Sequence, residues 1–173
     1  MKPIAPLALI SALALAGCAT PPKPLQGQFS SLTPEQAVQR QGVGEIVRWG
    51  GRIVDVQPGS NSSCFEVVAI PLSGTSRPQD VDQSLGRFIA CRAGFYEPEL
   101  FQPGRELTIS GRIEGFETRK VGEYDYRYPR VAAEVVYLWP ERRDVDVIVD
   151  PYYHGGWRSG WRGGWGFGWG RRW

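Results

Sequence analysis

The sequence predicts an all-β domain, a small antiparallel barrel of five to six strands. Three observations predict it. Five segments carry alternation or β-branched enrichment, with turn signals between them. The first and fourth contain internal glycines, as long coiled strands do. A short stretch between the third and fourth is suited to one helical turn, and long helical patterns are missing. Together these match an OB-like layout, with another small antiparallel barrel or an open sheet as the alternative.

The elements follow in order. Thr33-Pro34-Glu35-Gln36-Ala37-Val38 predicts a short helix, with Thr33 as N-cap and Pro34 at its first position. Glu45 to Val56 (EIVRWGGRIVDV) is the first strand, and Gly50 and Gly51 suggest a bulge or sharp coil within it. Cys64 to Leu72 (CFEVVAIPL) is the second, Gly86 to Arg92 (GRFIACR) the third. Glu106 to Phe116 (ELTISGRIEGF) alternates apolar and polar around Gly111 and is the fourth. Tyr126 to Trp139 (YRYPRVAAEVVYLW) is the fifth. Phe95 to Phe101 forms the short helical insert. Turn signals lie at Gln57-Pro58-Gly59-Ser60-Asn61 and Ser73-Gly74-Thr75-Ser76-Arg77-Pro78. Arg142 to Asp150 (RRDVDVIVD) is a candidate sixth, edge strand.

The N-terminus reads as an address. Lys2 precedes an apolar run from Ile4 to Ala16, too short for a permanent membrane span and laid out as a secretory signal. It closes on Leu15-Ala16-Gly17-Cys18, which resembles the bacterial lipobox. That resemblance implies cleavage before Cys18 and a diacylglycerol on its thiol. Ala19, in place of Asp, favours the outer membrane under enterobacterial-type sorting. Several acyl chains anchor stably where one binds only marginally. Residues 1–17 are thus the expected signal peptide, and 18–30 the lipidated cysteine and a proline-containing, flexible linker. Residues 31–140 are the β domain, and 141–173 a linker and low-complexity tail.

Several stretches of the body resemble one family, the Slp-type (starvation-inducible) outer-membrane lipoproteins. They are Val47-Arg48-Trp49-Gly50-Gly51, Glu66 to Leu72, Gly86 to Ala90, Gly94-Phe95-Tyr96-Glu97-Pro98, Thr108-Ile109-Ser110-Gly111, and the Tyr126 to Trp139 strand. Their order and spacing are shared across roughly Gly42 to Pro140. The resemblance implies a lipid-anchored outer-membrane protein related to starvation or envelope stress. It supplies no activity and no functional residues to carry over. The chain departs from the family pattern in having Cys64 and Cys91.

Chemistry narrows the function classes. The single histidine, His154, sits in the glycine-rich tail, too few ligands for a zinc cage and poorly held for a catalytic triad. No Walker motif and no strand-linked Gly-x-Gly-x-x-Gly occurs. No catalytic, cofactor-binding or metal site is therefore assigned. Glu97 with Glu99, and Glu123 with Asp125, are close in sequence, a spacing more typical of solvated loop charges. Residues 18–150 hold 15 Lys/Arg against 18 Asp/Glu, which argues against a nucleic-acid-binding body.

Cys64 and Cys91 fall opposite one another if the second and third strands pair antiparallel, and the periplasm is oxidising, so a disulfide is expected. Two buried thiols are the alternative. Arg48, Arg87, Arg112 and Arg130 recur on strands near acids such as Glu66 and Glu134, and structural pairing is favoured over a ligand patch.

The tail spaces Trp157, Trp161, Trp165, Trp169 and Trp173 four apart, with Arg158, Arg162, Arg171 and Arg172 between them. Tryptophan favours membrane–water interfaces and arginine meets anionic headgroups, so a second membrane contact is the expected role. Low complexity without function is the alternative. Three functions follow. The first is a non-enzymatic, lipid-anchored envelope module that binds a protein or glycan partner or supports the envelope. The second is an OB-type oligosaccharide binder. The third is a carboxylate-based periplasmic hydrolase. The first is favoured.

Overall fold

The computed structural model describes residues 20–142. The expected sixth strand at Arg142 to Asp150 extends beyond these residues.

Five strands close into a ring. They are β1 (Ile46–Pro58), β2 (Ser62–Ala69), β3 (Arg87–Ala93), β4 (Glu106–Val121) and β5 (Tyr124–Leu138). The order around the ring is β1-β2-β3-β5-β4, and β4 returns to pair with β1. Neighbours run antiparallel except β3 and β5, which pair in parallel through Ile89↔Arg130, Ala90↔Val131 and Cys91↔Ala132. That pair is the one departure from antiparallel pairing in the OB-like barrel expected. β5 enters beside β3 from the β4 hairpin, so the closing pair has to run in the same sense.

Alternation decides the faces. Along β2, Ser63, Phe65, Val67 and Ala69 are buried, whereas Cys64, Glu66 and Val68 are half-buried on the outside. The register carries the inner face round the ring: Phe65 lies opposite Ala90, and Ala90 opposite Val131. Side chains fill the interior, with Phe65, Val67, Phe88, Leu107 and Ile113 all at 0% exposure. At one end Phe65 packs with Tyr96 and Phe101 from the β3–β4 connection, each pair with centroids 5.2 Å apart. The insert there is a single turn in which the Leu100 and Phe101 amides donate to the Glu97 carbonyl.

At the other end sits α1 (Pro34–Arg40). Thr33 and Gln36 form the reciprocal N-terminal cap, each side chain 3.2 Å from the other's backbone amide. Its Ala37 is fully buried and joins the core.

The glycines of β1 and β4 allow close crossing. A Cβ on Gly51 would lie 1.8 Å from the Val68 carbonyl oxygen, and one on Gly111 2.2 Å from that of Ala132. The register shift in β1 falls between Ile53 and Asp55, not at Gly50-Gly51. Gly51 serves the approach of β2. The shift brings Val56 opposite Phe65, where it packs on the core.

The linker is also corrected. Within residues 20–30, a 3-10 turn (Lys23–Leu25) places Leu25 at 0% exposure. Arg48 donates to the Leu25 carbonyl at 2.7 Å and lies 4.8 Å from the Phe29 ring centroid. The Ser30 amide donates to Ile46, and Ser30 bridges Val47 in parallel. Buried Leu25, the two Arg48 contacts and the Ser30 bridge together strap this segment to the body. Burial lowers the Arg48 pKa from its ordinary value.

Candidate functional site

β4 and β5 continue past the ring as a two-stranded arm, from Glu117↔Tyr128 to Val121↔Tyr124, closed by a tight turn with Gly122 at φ 59°. Successive odd and even residues of the arm point to opposite faces. Tyr124, Tyr126 and Tyr128 therefore stack along one face, with centroids 6.3 and 4.9 Å apart. Arg127 lies on the other, 4.9 Å over Phe116.

Burial grades the ladder from tip to root. Tyr124 is 70% exposed, Tyr126 is half-buried and Tyr128 is 1% exposed. Tyr126 accepts from the Arg87 amide at 3.0 Å. Gly86 makes room for this: its φ is +99°, and a Cβ there would lie 3.2 Å from both the Tyr126 hydroxyl and the Glu35 nitrogen. Tyr128 donates to Glu66 at 2.8 Å, and Arg87 donates to the same carboxylate oxygen at 2.8 Å.

Burial and the neighbouring Glu66 push the Tyr128 hydroxyl up to about 12. Burial pulls Arg87 down, but its bonds with Glu66 and Tyr128 outweigh this and raise it. Between α1 and the arm lies a groove of about 280 Å³, lined by Glu35, Gln39, Arg87, Tyr124, Tyr126 and Arg127 among others.

The other arginines of interest have structural partners. Arg130 meets Glu114 at 2.6 Å and Glu117 at 3.0 Å, and these two carboxylates raise its pKa. Arg112 donates to the Gly44 carbonyl. The Glu134 carbonyl accepts from Arg92. Cys64 and Cys91 are cross-strand partners on the outer face, joined by a disulfide with sulfurs 2.08 Å apart. Glu97 and Glu99 are exposed on the β3–β4 turn, and Glu123 and Asp125 at the tip of the arm. No cluster of metal-ligating side chains occurs among the described residues, and none of their helices is long and apolar enough to cross a membrane. Cys18, His154 and the tail residues Trp157, Arg158, Trp161, Arg162, Trp165, Trp169, Arg171, Arg172 and Trp173 lie outside the described residues.

The model of the outer membrane lipoprotein Slp family matches residues 15–169. The chain belongs to this family. Two Escherichia coli K12 proteins are similar to this Slp-family chain. The uncharacterized lipoprotein YeaY is 34% identical over 154 residues, covering 84% of this chain and 78% of the relative. Outer membrane protein Slp is 26% identical over 146 residues, covering 82% and 77%. A Haemophilus influenzae protein is 34% identical over 142 residues, covering 80% and 77%. No solved structure matches the chain. The Slp-family chain is an outer-membrane lipoprotein with a closed β domain.

The tyrosine ladder and its groove were not singled out as a site in the sequence. Alternating tyrosines in YDYRY were the available signal, but they read as ordinary strand residues.

Proposed function

We propose that this Slp-family chain is a non-catalytic binding module, held at the outer membrane by acyl groups on Cys18. The observation that carries the reading is the filled interior. Phe65, Phe88, Leu107 and Ile113 occupy the space inside the ring. Glu66, Glu106, Glu114 and Glu117, which lie on strands, are paired with arginines. The body then acts through its outer surface. The Leu15-Ala16-Gly17-Cys18 box supports the anchor. The resemblance of the body to starvation-induced lipoproteins supports a role in envelope stress.

Two measurements test this. Intact-mass analysis of the membrane-extracted protein is expected to show a chain beginning at acylated Cys18, and an unmodified Cys18 would sink the anchor. Crosslinking in intact cells followed by mass spectrometry is expected to return a reproducible envelope partner. Recovery of the chain without crosslinks in both growing and starved cells counts against a binding module.

Among partner classes, one observation favours a glycan. The exposed Tyr124 and the half-buried Tyr126 stand beside Arg87 in one groove.

A further inference from the structure

We propose that the groove between α1 and the β4–β5 arm is a binding site for a neutral oligosaccharide, with Tyr124 as its stacking platform. The proposal deepens the binding-module reading by naming the site and the ligand chemistry.

Position comes first. In five-stranded rings of this strand order, oligosaccharides and oligonucleotides are bound on the strand 2–3 face, between the 1–2 and 4–5 loops; the groove shares the 4–5 side of that position. Here β3 supplies Arg87 to the groove, and Tyr124 to Arg127 come from the arm, which is the extended 4–5 connection. The groove lies where these meet α1, and its volume of about 280 Å³ is close to the lower end for small-molecule sites, about 300 Å³.

Shape comes next. Tyr124 is the most exposed large hydrophobic side chain in the described body, at 70%. At that exposure most of the ring is open to solvent, and its ring neighbour Tyr126 lies 6.3 Å away, inclined at 61°. The platform is backed by a rigid support. Tyr126 is held through its hydroxyl by the Arg87 amide, and Tyr128 through its own by Glu66. An aromatic face set on fixed neighbours suits the apolar C–H face of a sugar ring.

Charge chooses between the ligand classes. The walls carry Glu35 and Asp125 against Arg87 and Arg127. Arg87 is engaged by Glu66 at 2.8 Å, and Arg127 packs over Phe116 and reaches Gln41 at 3.3 Å. A polyanion needs several uncommitted cations, and this balanced wall does not provide them. Glu35 and Gln39, which meet each other at 3.5 Å, keep further donors and acceptors for sugar hydroxyls, whereas Asp125 pairs with Lys120 at 3.4 Å.

The test uses the full mature chain in detergent micelles, titrated with the neutral tetramer of N-acetylglucosamine and, in parallel, with a sulfated oligosaccharide. Calorimetry and saturation-transfer NMR read binding. Saturable binding of the neutral glycan is expected, with affinity unchanged by added salt. Tyr124→Ala is expected to weaken it by about tenfold, and Tyr124→Trp to retain it. Tyr124 is exposed, so both variants should keep the melting temperature of the parent. No saturable binding up to about 10 mM glycan overturns the proposal. So does equal binding by Tyr124→Ala, or salt-dependent binding of the sulfated glycan alone. In each such case a persisting crosslinked partner leaves the lipoprotein-module reading standing.

Discussion

Tyr128 of β5 and Glu66 of β2 are joined by a 2.8 Å hydrogen bond that passes over the strand between them. β3 lies beneath the bond, and its Ile89, in register with Glu66 and Arg130, is fully buried. Arg87 completes the cluster from β3 itself. Three successive strands of the ring are thus tied on their outer face, next to the one parallel seam.

This tie gives a pH dependence. The folded Tyr128 pKa of about 12 lies above its unfolded value, about 10. A raised folded pKa contributes stability that is fully present below the unfolded value and is lost as pH rises through the folded one. Unfolding free energy is therefore expected to fall by about 2–3 kcal/mol between pH 10 and 12 from this group. Denaturant melts across that range should show the decline, and Tyr128→Phe should make it shallower. An unchanged slope in the variant would remove Tyr128 as its source.

The disulfide should be a large single contribution. Its partners are 27 residues apart, and closing such a loop stabilises by about 3.5 kcal/mol in the chain-entropy model. Cys64→Ala with Cys91→Ala is expected to lose about that much in chemical denaturation. Peptide mapping of freshly trapped envelope protein without reductant should recover the linked pair, and free thiols at both positions would refute the bond in the cell.

Two glycines on long strands should respond unequally. Gly51→Ala places a carbon against the Val68 carbonyl, and backbone cannot yield cheaply there, so a cost of about 3 kcal/mol is expected. Gly115→Ala meets nothing within 4 Å and should shift stability by about 0.5 kcal/mol or less. Equal melting of the two variants would contradict the close crossing of β1 and β2.

The tail is proposed as a second membrane contact. Deleting residues 155–173 is expected to leave the melting of the body unchanged. In a Cys18→Ser background, the same deletion should abolish binding to anionic vesicles. Equal vesicle binding with and without the tail, or tryptophan emission that does not shift to the blue on mixing, ends that reading.

Much of the ring was legible because its strands alternate. Phe65, Val67 and Ala69 against Cys64, Glu66 and Val68 announce both a strand and its faces. The Thr33 cap with Pro34 behind it is a local code and was equally readable; the reciprocal Gln36 bond was added by the structure. The arm was not, because Glu117 to Lys120 are charged or polar on both faces and carry no apolar period, so β4 was expected to end at Phe116. The parallel seam depends on contacts between distant segments, which no local pattern encodes. The groove shares that reason: Tyr126 meets Gly86 and Arg87 only after the ring has closed.

The strap across the outside of the ring changes how the body meets its surroundings. Thr20 is the first described residue, and Leu25 is already fully buried. A fully extended chain advances about 3.5 Å per residue, so an acyl group on Cys18 would tie the bilayer within about 7 Å of Thr20. A domain on so short a leash does not sweep out a volume of periplasm. With Cys18 acylated, such a leash would confine the body to the leaflet, and its search for a partner would become a two-dimensional one.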